Sequence, residues 1–182
     1  MIKYISILPI AIYLFFIWYR FGVQKSISES YYILQKRLPK YRWTFIAALV
    51  ATSLLMILGY AIEQPEIKAD TIILFFAGLG ICYTASAAEF KKDKITETWH
   101  RYGAVGGYIL GYAFIIALFG IDSIWFIAIS LSLFIMEWLD NESKKNFDLL
   151  RESLSIKKRY TNTTIWWAEV IGLLTIYLAT IL

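Results

Sequence analysis

Seven polar side chains set in or beside apolar runs are the candidates for chemistry: His100, Glu89, Glu137, Glu169, Ser86, Ser28 and Tyr32. His100 is the only histidine of the chain, and an imidazole changes charge near neutral pH. Carboxylates at membrane depth are costly and mark sites. Ser86 and Glu89 stand three residues apart, on one face of a helix. With an imidazole in reach, such a hydroxyl becomes a nucleophile, which requires His100 to fold back from the next helix. Ser28 and Tyr32 belong to the polar run Ser26–Tyr32. Hydroxyls at a helix N-terminus suit a phosphate or lipid headgroup. Each residue also has a structural reading. Ser26 and Glu29 form a capping box, Glu89 pairs with Lys91 or Lys92, Glu137 snorkels to water, and His100 rests among headgroups.

Other chemistries are excluded by what the chain lacks. One histidine with scattered glutamates is a poor match to catalytic zinc, which takes three protein ligands, so neither metal nor cofactor is expected. The sequence has no phosphate-binding GxxxxGK[ST] loop, GxSxG elbow or HExxH helix. The lone cysteine, Cys82, sits in an apolar run and has no intrachain disulfide partner. A net charge of +4 would suit nucleic acid, but its distribution along the chain points elsewhere.

Apart from Lys3 and Lys68, every Lys and Arg falls in one of three segments: Arg20 to Arg42, Lys91 to Arg101 and Lys144 to Arg159. Between these lie apolar blocks, and 59% of the 182 residues are hydrophobic, against roughly 45–50% for soluble domains. Basic segments in alternate gaps follow the positive-inside rule and favour anionic headgroups; no nucleic acid is expected. The blocks predict an all-α integral membrane protein, one domain over 1–182. Its six spans are Ile2–Trp18, Trp43–Ile62, Thr71–Phe90, Gly103–Gly120, Ser123–Trp138 and Ile165–Leu182, with both termini outside. Pro9 should bend the first span. Tryptophans favour the headgroup layer; Trp18, Trp43, Trp99, Trp138, Trp166 and Trp167 fall at inner span ends, and Trp125 at an outer one. Two inner segments, 23–40 and 141–158, carry apolar residues at helical spacing (Ile27, Tyr31, Leu34 and Leu38; Phe147, Leu150 and Leu154) and should lie along the interface.

Gly103, Gly107 and Gly111 recur every fourth residue, and Gly80, Thr84 and Ala88 repeat that spacing one span earlier. Small residues so spaced let two backbones approach closely. The two faces are expected to meet within one chain; a homo-oligomer or membrane partner is the other use of such a ridge.

Ser26–Tyr32, Ala88-Glu89-Phe90-Lys91 and His100-Arg101-Tyr102-Gly103-Ala104 resemble a pattern in uncharacterised small multi-span membrane proteins of gut bacteria and their phages. The resemblance covers about a third of the chain. It implies a bacterial inner-membrane location and brings no activity. Ceramidase-like and adiponectin-receptor-like hydrolases, with seven spans and several metal-binding histidines, do not fit a chain with one histidine.

The expectation is therefore a six-helix membrane protein that binds a lipid headgroup, small ligand or partner protein at its cytoplasmic face without catalysis. A proton-coupled carrier would use Glu169, Glu89 and His100 as a relay. An intramembrane lipid hydrolase would need Ser86 and His100 within hydrogen-bond reach.

Overall fold

A computed structural model of the chain describes residues 1–64, 66–121 and 163–182 without a break, and scattered positions between 124 and 149. Among the described residues the protein is helical throughout, with no strand. The helices are α1 (Ile2–Ile5), α2 (Leu8–Phe21), α3 (Glu29–Arg37), α4 (Trp43–Glu63), α5 (Ala69–Ser86), α6 (Lys94–Phe119) and α7 (Thr164–Ile181), with a 3-10 turn over Pro39–Tyr41 before α4. Most of the expected fifth span, the inner segment 141–158 and Glu137 lie outside the described residues.

Four stretches are long and apolar enough to cross a bilayer: Ile2–Phe21, Pro39–Glu63, Ala69–Ser86 and Lys94–Phe119. At 1.5 Å per residue, the 21 residues of α4 extend about 31 Å, the thickness of the hydrocarbon core. The expected sixth span appears as the apolar helix Ile165–Ile181, just under that length. Large apolar side chains such as Ile12, Phe15, Leu54, Leu58, Phe76 and Ile109 face outward, an exterior suited to lipid rather than water.

Where the helices depart from the expected spans, local chemistry explains it. The first stretch is broken at Ser6 and Ile7 into α1 and α2. Pro9 has no N–H, and its ring would strike the Ile5 carbonyl in a continuous helix. The freed Ile10 N–H donates instead to Thr52 Oγ1 of α4, at 3.1 Å. The third span ends at Ser86 rather than Phe90, so Glu89 sits in the turn beyond α5. The fourth begins at Lys94 rather than Gly103, which puts His100 in its second turn. Asp93 starts it: the Asp93 carboxylate accepts from Thr96 N–H at 2.8 Å and from the Thr96 hydroxyl at 2.9 Å, an N-cap. These hydrogen bonds hold the exposed Asp93 carboxyl below its usual range.

The most extensive contact is between α5 and α6. A Cβ built on Gly80 would stand 2.8 Å from the Gly107 backbone, and one on Gly103 would stand 2.8 Å from Thr84. Gly111 departs from the expected pairing, since its face meets Ile176 of α7. Ala88 lies past the end of α5, though it is buried. Two apolar clusters fill the bundle. One joins Ile10, Tyr13 and Ile17 of α2 to Tyr31, Leu34, Phe45, Leu49, Trp166 and Leu173. The other joins Met56, Tyr60, Leu74, Phe114, Ile115 and Ile176 towards the opposite end. Tyr31 and Leu34 thus pack one face of α3 against the bundle core.

Candidate functional site

The connection from α2 to α3 brings most of the candidate residues to one end of the bundle. Ser26 Oγ accepts from the Glu29 N–H at 3.1 Å, the bond expected of a capping box, but α3 starts at Glu29 with Ser28 as its N-cap, so the bond closes the turn before the helix. The reciprocal half is absent, because the Glu29 carboxylate pairs with Lys91 Nζ at 2.5 Å. Lys91 in turn lies 4.7 Å from the Tyr32 ring centroid, and the Lys91 N–H donates to Tyr32 Oη. The residues around Tyr32 thereby tie α3 to the α5–α6 turn.

His100 is buried and occupied at both ring nitrogens. Nδ1 is 3.0 Å from the Thr84 carbonyl and 3.1 Å from the Ala87 carbonyl, and Nε2 is 2.9 Å from Ser28 Oγ. Carbonyl oxygens only accept, so Nδ1 carries a proton, and in the neutral imidazole Nε2 is then the acceptor for the Ser28 hydroxyl. Thr84 lies in the last turn of α5 and Ala87 is the residue just past it, where a helix leaves carbonyls without intrahelical partners. Phe90 stacks on the imidazole at 4.3 Å between ring centroids and 23° between planes.

Glu169, on the first turns of α7, accepts from the Ile27 N–H through Oε2 at 2.5 Å. It thus holds the residue preceding Ser28. The Tyr108 hydroxyl donates to the Glu169 carbonyl at 2.9 Å. Ser28, Thr84, Tyr108 and Glu169 line a cavity of about 30 Å³ whose other walls are apolar, room for a water or two. Glu89 is not part of that wall. Its carboxylate accepts from the Tyr31 hydroxyl at 3.1 Å and lies 4.0 Å from the Arg42 guanidinium, so the cation beside it is neither Lys91 nor Lys92. Of the three residues of the expected relay, Glu169 alone lines this cavity. Ser86 is also elsewhere: it is exposed and donates to the Tyr83 carbonyl at 2.7 Å. The hydroxyl that meets His100 is Ser28.

Tyr13, Ser30 and Arg20 carry part of the arrangement and were not among the candidates. Tyr13 Oη and Ser30 Oγ are 2.5 Å apart, and Ser30 also donates to the Ile27 carbonyl. On the other face of Tyr13, α2 and α4 splay to form an open apolar groove of about 940 Å³. Its walls include Pro9, Ile12, Phe16, Ala47 and Ala51, and Arg20 and Tyr41 stand at its α3 end. Ala47, Ala48 and Ala51, spaced along one helix face, were the available sequence signal, since small side chains leave a helix surface concave.

Helix lengths, the apolar exterior and a polar end built around α3 point to an α-helical membrane protein. Among the described residues no group of three or more His, Cys, Asp or Glu could hold a metal ion. No family model matches the chain, and neither a curated protein nor a solved structure matches it.

Proposed function

We propose that the protein binds one anionic phospholipid in the groove between α2 and α4, a binding role with no chemistry at the groove itself. On this reading it has six spans, both termini outside, and its α3 end in the inner leaflet of a bacterial cytoplasmic membrane. The observation that carries the proposal is the shape and charge of the groove. From Pro9 to Arg20 the wall rises 11 residues, roughly 16 Å at 1.5 Å each, which is one leaflet of hydrocarbon. An acyl chain fits against Ile12, Phe16, Ala47 and Ala51. The phosphate then reaches Arg20, whose guanidinium pairs with phosphate in bidentate fashion. Basic segments at the same end favour anionic lipid.

A phospholipid carrying a photoactivatable group midway along its acyl chain tests the proposal. Crosslinks should fall within residues 9–20 and 44–51. Ala47→Trp fills the groove from an exposed position and should abolish them. Crosslinks spread evenly over all outward faces, unchanged by Ala47→Trp, would defeat the proposal.

A further inference from the structure

The cavity beside Ser28 lies on a different face of α4 from the groove, since Thr44, Ala47, Ala48 and Ala51 border the groove and Leu49 the cavity. Its chemistry is therefore independent of the lipid reading. Ser28 and His100 are 72 residues apart in sequence, yet their polar atoms meet at 2.9 Å in a buried contact. The imidazole is fixed in orientation and tautomer by two carbonyls that can only accept. A hydroxyl donating to a neutral Nε2, with Nδ1–H held by a third group, is the arrangement by which serine nucleophiles are activated. The oxygen also stands at the N-cap of the nine-residue α3, where the helix dipole favours negative charge.

We propose that Ser28 is a nucleophile and His100 its general base, acting on esters of short acyl groups. The roughly 30 Å³ cavity at Ser28 takes a group the size of acetyl and excludes a long chain. Ser28 Oγ would form a bond to the ester carbonyl carbon as its proton moves to His100 Nε2. The ester C–O bond then breaks, and the same proton passes to the departing alkoxide. Water, deprotonated by Nε2, releases the acyl group as a carboxylic acid and restores Ser28. Glu169 is a positioning residue, holding the Ile27 N–H and hence the backbone that carries Ser28.

The test is intact-mass and peptide analysis of the detergent-solubilised full chain after exposure to p-nitrophenyl acetate and, separately, to a small fluorophosphonate. One adduct at Ser28 is expected with each reagent. Ser28→Ala should take none, Ser86→Ala should react like wild type, and His100→Gln should react at least about 100-fold more slowly. Should His100→Gln not fold, Ser28→Cys takes its place. Alkylation of the new thiol should then outpace that of Cys82 in the same chain about tenfold or more. An unreactive wild type, an adduct at another residue, equal rates with and without His100, or equal thiol rates would each overturn the proposal and leave His100 as a cap on α5.

Discussion

At the scale of single residues, the polar end is a set of donors matched to acceptors. Tyr31 shows what the match implies for pH. It is buried, and burial first, then its bond to Glu89, raise its phenol above the ordinary value. A group whose folded value is raised stabilises the fold fully below its unfolded value, and that stability is lost as pH rises through the folded value. Thermal stability should therefore fall as pH climbs beyond the ordinary phenol range, and Tyr31→Phe should flatten part of that fall. Melting curves across the alkaline range for both proteins check this; identical slopes would remove Tyr31 from the account. The residue types at this end were legible in the sequence, their pairing only in part. Ser28 and His100 were both candidates, but nothing local says that Ser28 rather than Ser86 supplies the hydroxyl. Contacts across 72 residues leave no periodic trace.

At the scale of elements, helix positions followed from apolar blocks, while their ends followed from caps and tertiary bonds. Hydropathy carries the third span on to Phe90, yet α5 stops at Ser86, with the carbonyls of Thr84 and Ala87 turned to His100. Asp93 with Thr96 is a cap visible in the sequence, and it extends α6 nine residues before Gly103. The glycine ridges were legible for the same reason that spans are: small residues every fourth position define a stripe. How closely they approach is set by the fold. Gly80→Ala and Gly103→Ala place a methyl within 3 Å of opposing backbone, and overpacking of this kind costs on the order of 1–3 kcal/mol. Gly106 has open space around its Cβ position, so Gly106→Ala should be neutral or gain about 0.5–1 kcal/mol in helix propensity. Thermal unfolding in detergent separates the two classes. Equal effects at all three positions would mean that α5 and α6 do not pack through this ridge.

At the scale of the whole molecule, alternating charge and apolar blocks order the chain in a bilayer before any contact is known. Six apolar blocks were legible; the described residues supply four stretches of spanning length and the shorter α7. What no block length could convey is the splay of α2 from α4, because a groove depends on how two helices lean rather than on either sequence alone. The proposed topology predicts that, with Cys82 replaced by Ala, Glu66→Cys reacts with an impermeant thiol reagent on intact cells and Asp148→Cys does not. Reaction of the latter alone would invert the protein. The lipid itself is tested most directly by native mass spectrometry. Delipidated protein is offered equal amounts of an anionic and a zwitterionic phospholipid of the same chain length. Wild type should retain one anionic lipid in preference to the zwitterionic one, and Arg20→Gln should lose that preference. Retention of neither lipid, or a preference unchanged in Arg20→Gln, would contradict the account.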